Sequence, residues 1–471
     1  MRRWLNVFLF LLSATMLMAR GTDRVKYPGG KSYMFRIELK DKNGTDYSLD
    51  RPEQFLSQRA IERRKRQNLV LDSTDLPLNA RYIEAVLTTG VEMVSKSKWN
   101  NTLLVRTKKQ DVMKEISKYP FVKDVRKVWT SPDSVERQKP RTNYHTEFNQ
   151  WDNIDNNPDG VTYDQLEMLG GNRLHRHGFR GKGMVIAVLD GGFMNADVIP
   201  ALTKVRQLGF ADFAQPVNQE SIFHGIDHGT MVLSTMAVNE PGMFIGTAPD
   251  AAYWLLRCED TQSETMVEED YWAAAVEFAD SAGVDVINSS LGYHHFDDPS
   301  QNYDYCQLDG HSSMISRTAS MLARKGMVLV NSAGNDGMGT WKKINVPADA
   351  SDIITVGAVS ANGNNAAFSS IGPTADGRVK PDVMALGSPT SVITGRGVIS
   401  KDIGTSFSAP LVAGMIACLW QAFPDKTAME IMEMVRKGGN RAECPDNIYG
   451  YGIPDFWSIY NYNKEIRKGG E

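Results

Sequence analysis

The rhythm of hydrophobic and polar positions changes three times along the chain. Between residues 31 and 130, Ser32–Leu39 alternates like a strand, and Pro52–Gln67 is charged with Phe55, Leu56, Ala60 and Ile61 on one helical face. A strand–helix–strand set follows at Thr102–Arg106, Gln110–Lys118 and Phe121–Val128. Two β-α-β units predict a small ferredoxin-like α+β domain over 26–130, with helices on one face of an antiparallel sheet. Residues 131–160 are polar and nearly free of aliphatic side chains, which predicts an exposed, cleavable linker. Over 161–463 the pattern becomes runs that are apolar on both faces: Val185–Leu189, Ala252–Leu256, Val284–Asn288, Met327–Asn331 and Ile353–Val356. Helical stretches such as Tyr271–Ala282 and Ser312–Lys325 lie between them. That alternation predicts an α/β unit, a mostly parallel central sheet with helices on both faces. Residues 464–471 read as a polar tail.

The length of 471 residues fits two folded units. A net charge of −4 argues against a nucleic-acid partner, which calls for a basic excess. Arg2 and Arg3 precede an apolar stretch from Trp4 to Met18, with small residues at Ala19 and Gly21. Residues 1–21 therefore read as a signal peptide, giving a secreted, periplasmic or cell-surface protein with no membrane span in the mature chain. The four cysteines, Cys258, Cys306, Cys418 and Cys444, permit two disulfides in three pairings or simply buried thiols, and their spacing fits no zinc site.

In parallel sheets, active sites gather at the carboxyl ends of strands. Asp190 stands there, directly after Val185–Leu189. His228 opens a helical run in HGT, where the positive end of the helix dipole disfavours its charged form. Ser406 lies in GTSFSAP at the start of another helix, with Pro410 fitting the first turn. That position favours an attacking alkoxide and a developing oxyanion. Asn335, in NSAGNDG after the strand ending at Asn331, can donate an amide hydrogen bond to the same oxyanion. Taken singly, each has a plainer reading as a cap, a turn or a structural histidine. Together they specify nucleophilic acyl transfer.

These segments resemble the subtilisin-like serine proteases, the subtilases. VLDGG is similar to the family's aspartate motif, HGTMV to its histidine motif, NSAGNDG to its oxyanion-asparagine motif and GTSFSAP to its serine motif. The order Asp, His, Ser is that of the family. GTAP at Gly246–Pro249 and SSLG at Ser289–Gly292 agree, and the resemblance runs from about residue 161 to YGYGIPD. It implies a serine endopeptidase with Asp190, His228 and Ser406 as triad, Asn335 in the oxyanion hole, and Ser290, Leu291 and Gly292 binding protein or peptide substrates in extended form. It also implies that residues 26–130 are a propeptide that inhibits its own enzyme until cut. No cofactor is required. The loop Asn239–Phe244, which helps hold calcium in many relatives, keeps Asn239 but is otherwise changed, so it gives no recognisable calcium site. Met231 and Ser234 stand where the family often has His and Gly, and Gly191 where Ser or Thr is usual. No reacting group is lost, which disfavours an inactive binding protein. A peptide cyclase or acyl-transferase using the same acyl-enzyme stays open.

One acidic run has two readings. Glu259, Asp260, Glu264, Glu268, Glu269 and Asp270 follow the Trp254 strand. Thr265 and Glu268 fit a capping box, with Glu269 and Asp270 as first-turn helix acids. Alternatively, because the family's non-prime subsites border this segment, the run selects basic residues upstream of the cut. The capping reading is the simpler.

Overall fold

The structure is a computed structural model that describes residues 24–136, 157–214 and 221–469. The apolar N-terminal stretch, most of the expected linker and the last two residues lie outside the described residues.

The N-terminal unit is an antiparallel sheet closed by a short ribbon. β1 (Arg24–Lys26) pairs with β6 (Ser134–Glu136), so the first residues of the expected linker belong to this ribbon. Between them, β2 (Tyr33–Leu39), β3 (Glu92–Ser97), β4 (Thr102–Thr107) and β5 (Val122–Thr130) lie in the order β3-β4-β2-β5, the ferredoxin-like arrangement. Its helices differ from the sequence reading. Pro52–Gln67 is a 3₁₀ turn at Pro52–Gln54 followed by α1 (Gln58–Arg66), which Ser57 caps. The helices covering the sheet are α2 (Ala80–Leu87), which the sequence reading did not include, and α3 (Val112–Ile116). Their Val86, Met113 and Ile116 pack on Phe35, Ile37, Leu103 and Val105.

The second unit is a seven-stranded, wholly parallel sheet. Its strands are β7 (Val185–Asp190), β8 (Arg206–Asp212), β9 (Ala252–Arg257), β10 (Val286–Ser289), β11 (Val328–Ser332), β12 (Ile354–Ser360) and β13 (Val383–Ser388). They lie in the order β13-β12-β11-β10-β7-β9-β8. Alternation along β7 sends Ile186 and Val188 to one core and Val185, Ala187 and Leu189 to the other. Helices α4 (His228–Ala237), α7 (Thr405–Ala422), α8 (Ala428–Lys437) and α9 (Phe456–Gly469) cover the first face, and α5 (Val267–Ala282) and α6 (Met314–Arg324) the second. α7 is long and apolar enough to cross a membrane by composition, and here it is a core helix. The expected polar tail continues α9 as far as Gly469. The four cysteines are free thiols, with Cys258 and Cys418 buried.

The two units meet along α5. The sheet face that α2 and α3 leave open carries Met34, Trp99, Leu104 and Trp129 into the core around Tyr271 and Trp272. α1 extends the contact. Gly283 ends α5 at φ 87°, and a Cβ there would sit 2.7 Å from the Arg59 side chain, so the close approach requires glycine. The charges on α1 explain why it stands off its own sheet: Arg63 and Arg64 reach Asp280 of α5.

Contact with the N-terminal unit also overturns the capping-box reading at the start of α5. The N-cap is Met266, with no side-chain cap. Glu269 and Asp270 are buried against Arg36 of β2, at 3.3 and 2.6 Å. Glu268 is buried as well, and its Oε1 accepts from the Asp260 N–H at 3.1 Å.

Candidate active site

The strand order reverses around β7, and beside it the carboxyl ends of β9, β10 and β11 open onto one cavity of about 690 Å³. Asp190 closes β7, fully buried. Its Oδ1 accepts from Gly191 N at 2.8 Å, and its Oδ2 lies 2.8 Å from His228 Nδ1. His228 begins α4. The next residue, Gly229, packs so closely that a Cβ would lie 2.5 Å from Gly192 O, which allows the helix start to sit against the end of β7. Burial pulls the imidazolium down, but Asp190, by charge and hydrogen bond, and the charges of Glu259 and Asp402 outweigh it and raise His228 to about 9.

Ser406 is the second residue of α7, and its Oγ donates to Ser290 O at 3.4 Å. Among the described residues no hydrogen bond joins it to His228, although both line the cavity; such contacts are often loose without substrate. Pro410 lies in the second turn of α7, not the first as its type suggested. Having no N–H, it leaves the carbonyl of Ser406, four residues earlier, without its helical donor. Ser290 Oγ supplies one at 3.0 Å, tying the serine segment to the end of β10.

Asn335 follows β11. Its Oδ1 accepts from the N–H and the hydroxyl of Thr405, both at 3.0 Å, which leaves its amide N–H₂ for the cavity. Thr405 thus orients Asn335 instead of capping α7, whose N-cap is Gly404. Ser290, Leu291 and Gly292 line the same wall, and Asn331 Nδ2 holds Leu291 O at 3.1 Å. Ser234, where Gly is common, accepts from Ile393 N at 2.9 Å, so the larger side chain is used.

All seven sequence-identified residues therefore meet at one place, Asp190 beneath His228 and the others on the cavity. The sequence reading missed Asp402, four residues before Ser406, and Asp297, for which no local pattern exists. The opposite wall carries Glu259, Glu264 and Asp297. At the loop where relatives hold calcium, Asn239 Oδ1 accepts from Arg180 Nη2 at 2.8 Å and Glu240 pairs with Lys204 at 2.5 Å. Cations of the chain itself already take those donors, so the loop does not fit a calcium ion.

A parallel sheet bearing a carboxylate–imidazole pair and a helix-borne serine in one cavity defines a serine peptidase of the subtilisin type. The chain belongs to the subtilase family, whose profile matches residues 181–452. A peptidase S8 propeptide domain known from Bacteroidota matches residues 34–145. The chain is thus a subtilisin-like serine peptidase, a hydrolase, that carries a propeptide domain. It is similar to the thermostable alkaline protease of Halalkalibacterium halodurans (28% identical, covering 61% of this chain and 70% of the relative). It is also similar to subtilisin DY of Bacillus licheniformis (26%, 61% and 93%) and to the subtilisin-like protease SBT6.1 of Arabidopsis thaliana (29%, 56% and 24%). The match therefore spans only about a quarter of the Arabidopsis relative.

Proposed function

We propose that this chain is an endopeptidase that cuts proteins through an acyl-enzyme on Ser406, and that residues 26–130 inhibit it until removed. His228 takes the Ser406 proton as Oγ attacks the scissile carbonyl, then delivers it to the leaving amine. Asp190 fixes the imidazole with its Nδ1–H toward the carboxylate and stabilises the imidazolium. The oxyanion is held by Asn335 Nδ2 and the Ser406 N–H, and water then hydrolyses the ester. Substrate lies extended along Ser290, Leu291 and Gly292, adding a strand by main-chain hydrogen bonds. Arg2, Arg3 and the apolar stretch after them support export of the chain.

The observation that carries the reading is the 2.8 Å contact of His228 Nδ1 with Asp190 in the cavity that also holds Ser406. A fluorophosphonate probe should label the processed wild type and not Ser406→Ala. Equal labelling of the two would end the claim that Ser406 is the nucleophile.

A further inference from the structure

One side of the cleft is built from carboxylates that the proposed peptidase chemistry does not use. Glu259 and Glu264 lie on the segment after β9, and Glu268 lies at the start of α5. A carboxylate oxygen from each comes within 4.8 Å of the other two. No lysine or arginine lines this cavity among the described residues. Two buried polar atoms beside the cluster are left over. Glu268 is 0% exposed, and while its Oε1 accepts from Asp260 N, its Oε2 has no partner. The Tyr293 hydroxyl, on a residue 2% exposed, also has no partner. It lies within the field of the same three acids, and burial together with the charges of Glu268 and Glu259 holds it well above its ordinary pKa.

Unpaired buried polar groups are costly, and three converging carboxylates repel one another. Burial, then the neighbouring charges of Asp190 and Glu264, raises Glu259 to about 8; burial, then Asp297, raises Glu264 to about 7. The other acids nearby are already satisfied: Asp260 accepts from Gln262 N and Ser263 Oγ, and Asp297 from Glu264 N.

We propose that Glu259, Glu264 and Glu268 bind a divalent cation of the calcium type in the wall of the substrate cleft. The donors are all hard oxygens, which suit calcium and not a soft transition metal. Oxygens bound to one calcium at about 2.3–2.6 Å stand at most about 5 Å apart, so the observed spacing fits a shared ion. The cleft side is open to water, which completes the coordination. Glu268 Oε2 gains its missing partner, and the Tyr293 hydroxyl faces an ion-bound water. The ion closes the wall opposite Ser290 and holds the segment after β9 against α5.

The test uses the full-length Ser406→Ala chain, which cannot cut itself, stripped with a chelator and titrated calorimetrically with calcium chloride. The readout is independent of whether Ser406 is the nucleophile. One ion per chain should bind with a dissociation constant of about 10⁻⁵ to 10⁻³ M, and the thermal midpoint should rise with calcium. Glu268→Gln and, at the more accessible position, Glu264→Gln should each weaken binding at least about tenfold, since each removes one anionic ligand. Glu430→Gln, on the remote surface of α8, should not. If Glu268→Gln fails to fold, Glu264→Gln decides alone. The proposal is overturned by absence of binding up to about 10 mM calcium, or by unchanged affinity in the folded variants. It is equally overturned if the metal-free chain shows no calcium heat but binds an arginine-bearing peptide in a way that Glu264→Gln abolishes; the cluster would then be a subsite for basic side chains.

Discussion

Helix α5 carries buried acids into two different surroundings. On the side facing the propeptide domain, each has a partner. Asp270 and Glu269 meet Arg36, Asp280 meets Arg63 and Arg64, and Glu277 accepts from Lys98 N at 2.8 Å and Trp99 N at 3.1 Å. On the side facing the cleft, Glu268 converges with Glu259 and Glu264, and among the described residues no lysine or arginine pairs with any of the three. One surface has its counter-charges supplied in the same polypeptide; the other leaves them to something that arrives. The paired surface also suits a domain that is later removed. When the propeptide leaves, Asp270 and Asp280 pass into water, where an ionised carboxylate is well solvated, so no buried charge is stranded.

The largest expected effect fixes both sides of this comparison in place. In Ser406→Ala, turnover of a peptide substrate should fall by about 10⁶-fold, and intact mass should show the propeptide still joined. A variant that processes itself in isolation would place the nucleophile elsewhere. In that uncut background the two surfaces can be broken separately. Asp280→Ala leaves the buried Arg63 without its carboxylate, while Arg64 keeps Asp75 at 2.8 Å, and should cost about 3–5 kcal/mol of stability in denaturant unfolding. Glu268→Gln, measured in chelator, should cost nothing or stabilise the chain, because it removes a buried carboxylate that faces two other acids and whose Oε2 has no partner, while the remaining amide oxygen can still accept from Asp260 N. The opposite ranking would collapse the distinction between paired and unpaired acids.

Within the cleft, Asn335→Ala should lower kcat by about 10²–10³-fold while KM changes little, since the amide acts on the oxyanion and not on the bound peptide. Thr405→Val removes the hydroxyl that holds Asn335 Oδ1 but keeps the Thr405 N–H contact, so its loss should be smaller. If Thr405→Val were the more damaging of the two, Thr405 would have a role beyond orienting Asn335.

The difference between the two surfaces also marks what was legible in the sequence. Five of the seven strands of the parallel sheet were legible because they are apolar on both faces, whereas the edge strands β8, exposed at alternate positions, and β13 were not read. Asp190, His228, Asn335 and Ser406 were legible because each sits in a short local pattern at a strand or helix end. Contacts between distant segments were not. The acids Glu268, Glu269 and Asp270 are first-turn helix residues, as the sequence suggested, but nothing local shows that Arg36, more than 230 positions earlier, is placed against two of them. α2 was overlooked although Tyr82, Ile83, Val86 and Leu87 fall on one helical face, because the segment spans only two turns. Pro410 was assigned to a first turn because a proline's type says nothing of Ser290, whose hydroxyl makes the second-turn position tolerable.

The smallest expected effect lies in the pH dependence, where the cleft acids act on the proposed base. An ordinary histidine would set the acidic limb near 6.5. Here burial opposes protonation, but Asp190, Glu259 and Asp402 prevail and raise His228 to about 9. The base form therefore accumulates only as pH rises, and kcat/KM on a small ester should climb along a limb whose midpoint lies above 6.5. Stability should run the other way. A raised pKa means that the imidazolium contributes to the folded state fully below its unfolded value, and that contribution fades as pH passes through about 9. Glu259→Gln removes one of the charges holding the proton on, so the limb should move to lower pH with its plateau unchanged. A limb that stays in place or moves up would separate the cleft acids from the catalytic imidazole and confine their role to whatever cation they bind.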